Sequence, residues 1–219
     1  MADYKKLIPY IIKWEAGIFK LNPDGSWNDK YPIDKLFEEA RETGFGNDPA
    51  DSGGATMIGV TLMCFKAYRK KKKSKTPTVS DLKKISFEEW CDILKTMFWD
   101  KMQADRIENQ SIANLCVNTI WGSGAGYIKT IQGVLGVRQD GVVGDITLGK
   151  INGWNPQSNL FDKLWSRRKK FFEDIVAKSV ADYEKKIGRK ATNQELMKHT
   201  KKRFIKGWMN RLNDFKFYE

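Results

Sequence analysis

Apolar residues recur along most of this chain at the three-to-four-residue spacing of a helix. Tyr4, Ile8, Ile11, Ile12 and Glu15 share that spacing, so residues 3–16 read as one amphipathic helix ending near Gly17. Residues 18–58 are dense in turn signals: Asn22-Pro-Asp-Gly25, Asn28-Asp29 and the run from Asn47 to Gly54. A short helix near 34–42 interrupts them, and short strands are expected around 17–31 and 56–60. Helical periodicity then returns over 61–73. The capping box Ser86-Phe-Glu-Glu89 starts a helix that runs to about Asp100. Ile112, Leu115, Cys116 and Thr119 mark a central helix, and another spans 127–135. The segment from Gly136 to Thr147 is a compact turn that opens a helix. Beyond Pro156 a long helix should reach about Ile187. A second capping box stands at Thr192-Asn-Gln-Glu195, and a last helix carries Phe204 to Leu212. The expected fold class is mainly α, with a small β and loop region near residues 17–60.

A chain of 219 residues can bury a substantial core, and 41% hydrophobic residues argue against disorder. The net charge of +12 attracts polyanions, a class that includes nucleic acid, anionic lipid and the bacterial cell wall, and does not choose among them. The opening MADYKKLIPYIIKWEAG holds only a short apolar run, broken by Pro9 and Lys13, with no cleavage site, so no secretory signal is read. No stretch approaches the roughly 20 apolar residues that span a bilayer. The expectation is a soluble protein made in the cytoplasm. Cys64, Cys91 and Cys116 are odd in number and far apart, each among apolar residues, and read as reduced core thiols.

Two constellations could carry chemistry. Glu15 continues the apolar stripe of its helix and lies at the C-terminal end, where burial and the helix dipole both disfavour a negative charge. A carboxylic acid kept protonated in this way suits glycoside hydrolysis, which must protonate a leaving oxygen. A buried Glu paired to Arg or Lys, or one reaching solvent at a frayed helix end, fits the same pattern, and the pattern alone favours that structural role. The second constellation is Asn47-Asp-Pro-Ala-Asp-Ser-Gly-Gly-Ala-Thr56, which sets Asp48, Asp51 and Thr56 around a Gly-Gly pair. Read alone, it is an Asp-rich turn capping the helix that starts near Thr61.

Taken together, Glu15-Ala-Gly17 and the run from Asp48 to Thr61 resemble the signature of the glycoside hydrolase family 108 muramidases: a Glu-Gly-Gly triplet, then Asp-Pro-x-Asp-x-Gly-Gly-x-Thr-x-x-Gly-Ile-Thr. Phe98-Trp-Asp100, and Val117-Asn118 before a glycine turn, match further on. Leu135 to Leu148 resembles the peptidoglycan-binding segment of the same family, and Phe204 to Leu212 its C-terminal signature. The resemblance implies a lysozyme-like helical fold that cuts the β-1,4 bond between N-acetylmuramic acid and N-acetylglucosamine, with Glu15 as catalytic acid. It implies Asp51 or Asp48 as the group that orients water or stabilises the oxocarbenium ion, and Thr56 as a water-positioning residue. Asp48, Asn118 and Trp121 stand as candidate substrate contacts, Trp121 because it lies beside the glycine turn. Residues 1–105 are expected to form the catalytic region and 106–219 a helical peptidoglycan-binding-like region. Ala16 departs from the triplet, and the stretch between Glu15 and Asp48 is longer than usual.

Zinc hydrolases of the wall need several closely spaced ligands, and this chain has one histidine, His199, on a basic helix. A cysteine nucleophile would need that same histidine as its base. Glycosidase chemistry needs neither, so no cofactor or metal is expected. The expected partners are peptidoglycan glycan strands and a holin-type pore for export, with no specific nucleic acid and a monomeric state. Two alternatives stay open: a lytic transglycosylase, and a catalytically silent wall-binding or secretion-regulating protein.

Overall fold

The computed structural model describes residues 1–23, 27–47 and 54–218. It divides into two compact units, Met1–Arg106 and Ile107–Glu219.

In the first unit a 3-10 turn at Tyr4–Lys6 leads into α1 (Ile8–Ala16), with Pro9 in the first turn, where its missing N–H costs nothing. Leu7, Ile8, Ile11 and Ile12 are buried, and burying each such side chain contributes about 1.5–3 kcal/mol relative to exposure. Gly17 closes the helix with φ 74°, the left-handed conformation that glycine adopts without strain. The expected helix near 34–42 is α2 (Ile33–Arg41), which buries Leu36, Phe37 and Ala40 on one stripe. Between α1 and α2, Leu21 and Trp27 form an isolated antiparallel bridge.

Three two-residue strands follow: β1 (Phe45–Gly46), β2 (Thr56–Met57) and β3 (Val60–Thr61), antiparallel in that order. Phe45 pairs Met57 and Gly46 pairs Thr56, while Met57 pairs Val60 across the tight Ile58-Gly59 turn. Thr61 caps α3 (Leu62–Lys71) by accepting the Cys64 N–H at 3.1 Å. The basic run at the end of α3 is anchored: Arg69 pairs with Glu89, and Lys72 with Asp92 at 2.6 Å. A capping box at Thr78 and Asp81 starts α4 (Val79–Lys83), a helix the periodicity did not suggest because it is one turn long. Ser86 caps α5 (Phe87–Ile93), but the helix expected to reach Asp100 changes to a π-helix over Leu94–Trp99. Trp90 and Trp99 are fully buried, and the Phe37 ring lies 5.6 Å from that of Trp90.

Among the described residues of the second unit the regular elements are helices joined by turns and loops. The unit comprises α6 (Gln110–Ser123), α7 (Ile128–Leu135), α8 (Asp145–Asn152), α9 (Gln157–Ile187), α10 (Asn193–His199) and α11 (Ile205–Asn213). Every residue from Ser111 to Trp121 is buried, including the polar Ser111, Asn114, Asn118 and Thr119, which places this helix at the centre of the unit's core. The 139–144 turn is held from behind by Gln132. Its side-chain amide donates to Asp140 at 2.8 Å and to the Val142 carbonyl at 3.0 Å, and its oxygen accepts the Gly141 N–H at 2.8 Å. Burying that amide is tolerable because its polar atoms are satisfied. The Thr192–Glu195 capping box forms as expected. His199 is exposed and stacks on Tyr183 at 5.2 Å.

The cysteines need one correction. All three are free thiols, but only Cys116 is buried; Cys64 and Cys91 are half-buried, since each lies near the edge of its helix's apolar stripe. Burial pushes Cys64 up to about 11, and Cys91 and Cys116 up to about 12.

Candidate active site

The buried stripe of α1 reaches the surface at Glu15, which is half-buried one residue before the helix ends. That end is pinned in two ways. The Thr43 hydroxyl donates to the Ala16 carbonyl at 2.9 Å, satisfying an acceptor the helix leaves open. Gly44 packs so closely that a Cβ placed on it would lie 3.5 Å from the Cβ of Ala16, 2.7 Å from the Ala40 carbonyl oxygen and 2.5 Å from Cγ1 of Ile58. A glycine is required there because the Ala40 carbonyl and Ile58 leave no room for a Cβ, while Ala16 stands at ordinary contact distance.

Ile58 carries the connection to the β-hairpin. Its N–H donates to the Gly44 carbonyl at 2.7 Å, and its own carbonyl accepts the indole N–H of Trp90 at 2.9 Å. Ile58 has φ 44° and Gly59 φ 77°, so both turn residues are left-handed. That conformation costs a β-branched residue about 1–3 kcal/mol. The cost is offset because the Ile58 side chain is fully buried and both backbone groups are bonded. Thr56 sits two residues earlier on β2, half-buried, with its hydroxyl donating to the Gly54 carbonyl at 3.1 Å. The Glu15 helix end and the Thr56 strand are therefore held in one framework through Thr43, Gly44 and Ile58.

The long stretch after Glu15 folds against α1 and α2. Phe19 stacks between Tyr10 (6.1 Å) and Trp27 (5.3 Å), and the Lys13 ammonium lies 4.6 Å from the Phe19 ring. Glu39 ties the segment to α2 through Lys20 at 2.7 Å and the Tyr31 hydroxyl. These two hydrogen bonds hold the Glu39 carboxyl below the usual carboxylate range.

Asp48 and Asp51 lie outside the described residues. Asn118 and Trp121 belong to the second unit, one helical turn apart on α6, and both are buried. The Asn118 side-chain oxygen accepts from Nε and Nη2 of Arg211 at 3.0 and 2.7 Å, which gives it a structural role joining α6 to α11. Nearby, the buried Arg168 guanidinium donates to Ser123 at 2.7 Å and lies over Tyr127 (5.0 Å) and Phe172 (4.3 Å). Burial pushes it down to about 10. Sequence periodicity missed Thr43, Gly44, Ile58 and Arg168. Only Gly44, in a Thr-Gly pair after a helix, carried a turn signal.

Residues 38–124 match the family described as Glycosyl hydrolase 108, and residues 127–213 match a "Predicted Peptidoglycan domain". The first match begins after Glu15 and runs through α6. No curated protein matches the chain. Among solved structures it is similar to Brucella abortus SagA, with a TM-score of 0.60 at 22% identity, over 82% of this chain and 86% of that one. At that identity the likeness speaks for the fold alone. Among the described residues no helix is long and apolar enough to cross a membrane.

Proposed function

We propose that the chain, a glycoside hydrolase by the match of residues 38–124 to the glycosyl hydrolase 108 family and with residues 127–213 matching a predicted peptidoglycan domain, is an N-acetylmuramidase with Glu15 as its general acid. The substrate is the β-1,4 bond between N-acetylmuramic acid and N-acetylglucosamine in peptidoglycan. Glu15 donates its proton to the leaving oxygen, the sugar passes through an oxocarbenium-like state, and water completes the cut. Asp51, with Asp48 beside it in sequence, supplies the second carboxylate. Thr56, whose hydroxyl already donates to Gly54, offers its oxygen lone pairs to a water. In this reading residues 1–105 catalyse and 106–219 hold the wall, and the monomer reaches its substrate through a holin-type pore.

The observation that carries the reading is the placement of Glu15. It is the one carboxylate that extends the buried stripe of α1, at a helix end fixed by Thr43 and Gly44 to the hairpin that bears Thr56. A helix end tied down in this way fixes the backbone that carries Glu15, and proton transfer demands such placement.

Turbidity clearing and muropeptide analysis on purified peptidoglycan, with wild type beside Glu15→Gln, test it. Wild type should release fragments with reducing N-acetylmuramic acid ends, and the folded variant should lose about 10²–10⁴-fold in rate. Anhydro ends would make the protein a lytic transglycosylase. A variant as active as wild type would remove Glu15 from the mechanism.

A further inference from the structure

A groove of about 540 Å³ opens beside α8, and nothing in the muramidase reading uses it. Its lining is mixed. Ile146 and Trp154 supply apolar surface, and Asp145, Lys150 and Asn155 supply polar groups. Gly149, within α8, and Gly153, its C-cap, are part of the same lining.

The two glycines differ in what they do. A Cβ on Gly153 would sit 2.9 Å from the Gly149 carbonyl oxygen, so packing explains that glycine. A Cβ on Gly149 would meet nothing within 4 Å, and the residue has ordinary helical backbone. No neighbour in the fold needs Gly149 to be small, although glycine within a helix is disfavoured relative to alanine. What its lack of a side chain does is leave bare backbone as the groove's floor.

The tryptophan wall is fixed. Gln157 donates its side-chain amide to the carbonyls of Ile151 (2.8 Å) and Trp154 (2.7 Å), closing the C-terminal end of α8, and the Trp154 indole N–H reaches Asn159 at 3.3 Å. A half-buried indole face beside a flat glycine floor suits the face of a pyranose ring. Asp145, Lys150 and Asn155 provide acceptors and donors for hydroxyl and acetamido groups, the mix of apolar wall and few polar groups found in small-ligand sites. A ring stacked there would lie over backbone rather than over a side chain, which is the close approach that a bare glycine permits.

We propose that this groove is a subsite for an N-acetylated sugar of the glycan strand, with the sugar stacked on Trp154 over Gly149. The proposal rests on the reading of residues 127–213 as peptidoglycan-binding, and it names where and through which part of the polymer that binding occurs. The stem peptide is the competing occupant of the same polymer, since Lys150 would also receive a carboxylate.

Gly149→Phe tests it, because Gly149 lines the groove and a Cβ there meets no atom within 4 Å. Full-length wild type and variant are sedimented in the cold with intact peptidoglycan and, separately, titrated with peptide-free glycan strands. Thermal melts accompany both and should show the variant at least as stable as wild type. Wild type is expected to bind both probes, and Gly149→Phe to bind each about tenfold or more weakly. Trp154→Phe should restore more of the affinity than Trp154→Ala. Equal binding by wild type and a stable Gly149→Phe would overturn the groove while leaving peptidoglycan binding intact. Binding to intact wall but not to peptide-free glycan, lost in the variant, would overturn the sugar in favour of the stem peptide. If wild type binds neither probe, the binding role of residues 127–213 falls, and the groove proposal with it.

Discussion

Replacing Gly44 by alanine puts a methyl group where the Ala40 carbonyl oxygen is 2.7 Å away and Cγ1 of Ile58 is 2.5 Å away. Neither neighbour yields easily. The first is backbone of α2. The second belongs to a fully buried side chain whose N–H is bonded to Gly44 itself and whose carbonyl is bonded to Trp90. Overpacking of this kind costs about 1–3 kcal/mol. With two neighbours inside 3.0 Å the cost falls at about 2–3 kcal/mol, the stiffer unfolded chain returns about 1 kcal/mol, and a net loss of about 1–2 kcal/mol is expected. For a chain of this length that lowers Tm by about 2–8 °C. The activity effect is separate. The same methyl would meet Ala16, next to Glu15, only at an ordinary contact distance of 3.5 Å, so any effect on rate runs through the shift forced on Ile58 and the Ala40 carbonyl, and a displacement of about 1 Å at a catalytic group can cost about 100-fold in rate. The assay pairs differential scanning calorimetry with the initial rate of peptidoglycan solubilisation, both against wild type and against Gly46→Ala, where a Cβ would meet nothing within 4 Å. A Gly44→Ala protein with wild-type Tm and wild-type rate would refute the claim that the Ala40 carbonyl and Ile58 leave no room for a side chain here and that this packing positions Glu15.

Asn118→Leu leaves Arg211 without the oxygen it donates to twice, so urea unfolding should report a loss of about 1–3 kcal/mol, whereas Asn118→Asp should keep most of the stability by pairing with the guanidinium. A Leu variant as stable as wild type would assign Asn118 elsewhere. Cys116 makes stability fall in alkali. Its folded-state pKa is raised to about 12 from 9.0, so the folded thiol keeps its proton while the unfolded one loses it, and stability drops as pH rises above about 9. At one pH unit above 9.0 the Cys116 share is about 1.4 kcal/mol, measured as the change in denaturation free energy from pH 8 to 10 that Cys116→Ala no longer shows. An unchanged pH slope in Cys116→Ala would mean that the thiol is not sealed from water.

The elements of the second unit were the most legible from sequence. The helix after Pro156 ends at Ile187 as expected, because Pro156 and Gly188 punctuate it and its period is unbroken. The Thr192–Glu195 box is a local interaction, complete within four residues. The first unit was harder. Its strands are two residues long, too short for an alternating pattern to register. The switch to a π-helix at Leu94 leaves the hydrophobic pattern helical and shows only in the hydrogen bonds. Within the candidate site, Glu15 stood out because a carboxylate on an apolar stripe is anomalous within its own helix. Asn118 and Trp121 were singled out for lying near a glycine turn, and only packing revealed that Asn118 answers to Arg211, 93 residues away.

What the sequence alone determined, then, is local: which stretches are helical, where caps and turns fall, which face of α1 is apolar and that Glu15 extends it. Those properties depend on neighbours within four residues, so the one-dimensional pattern carries them wherever an element is long enough to show its period. The tertiary structure decided what long-range contacts decide. It brought Thr43 and Gly44 onto the end of α1, forced Ile58 into a left-handed turn because its burial and two hydrogen bonds outweigh the strain, and buried Asn118 against Arg211. Each of these is a balance between a local penalty and a distant partner, and no local pattern records the distant term.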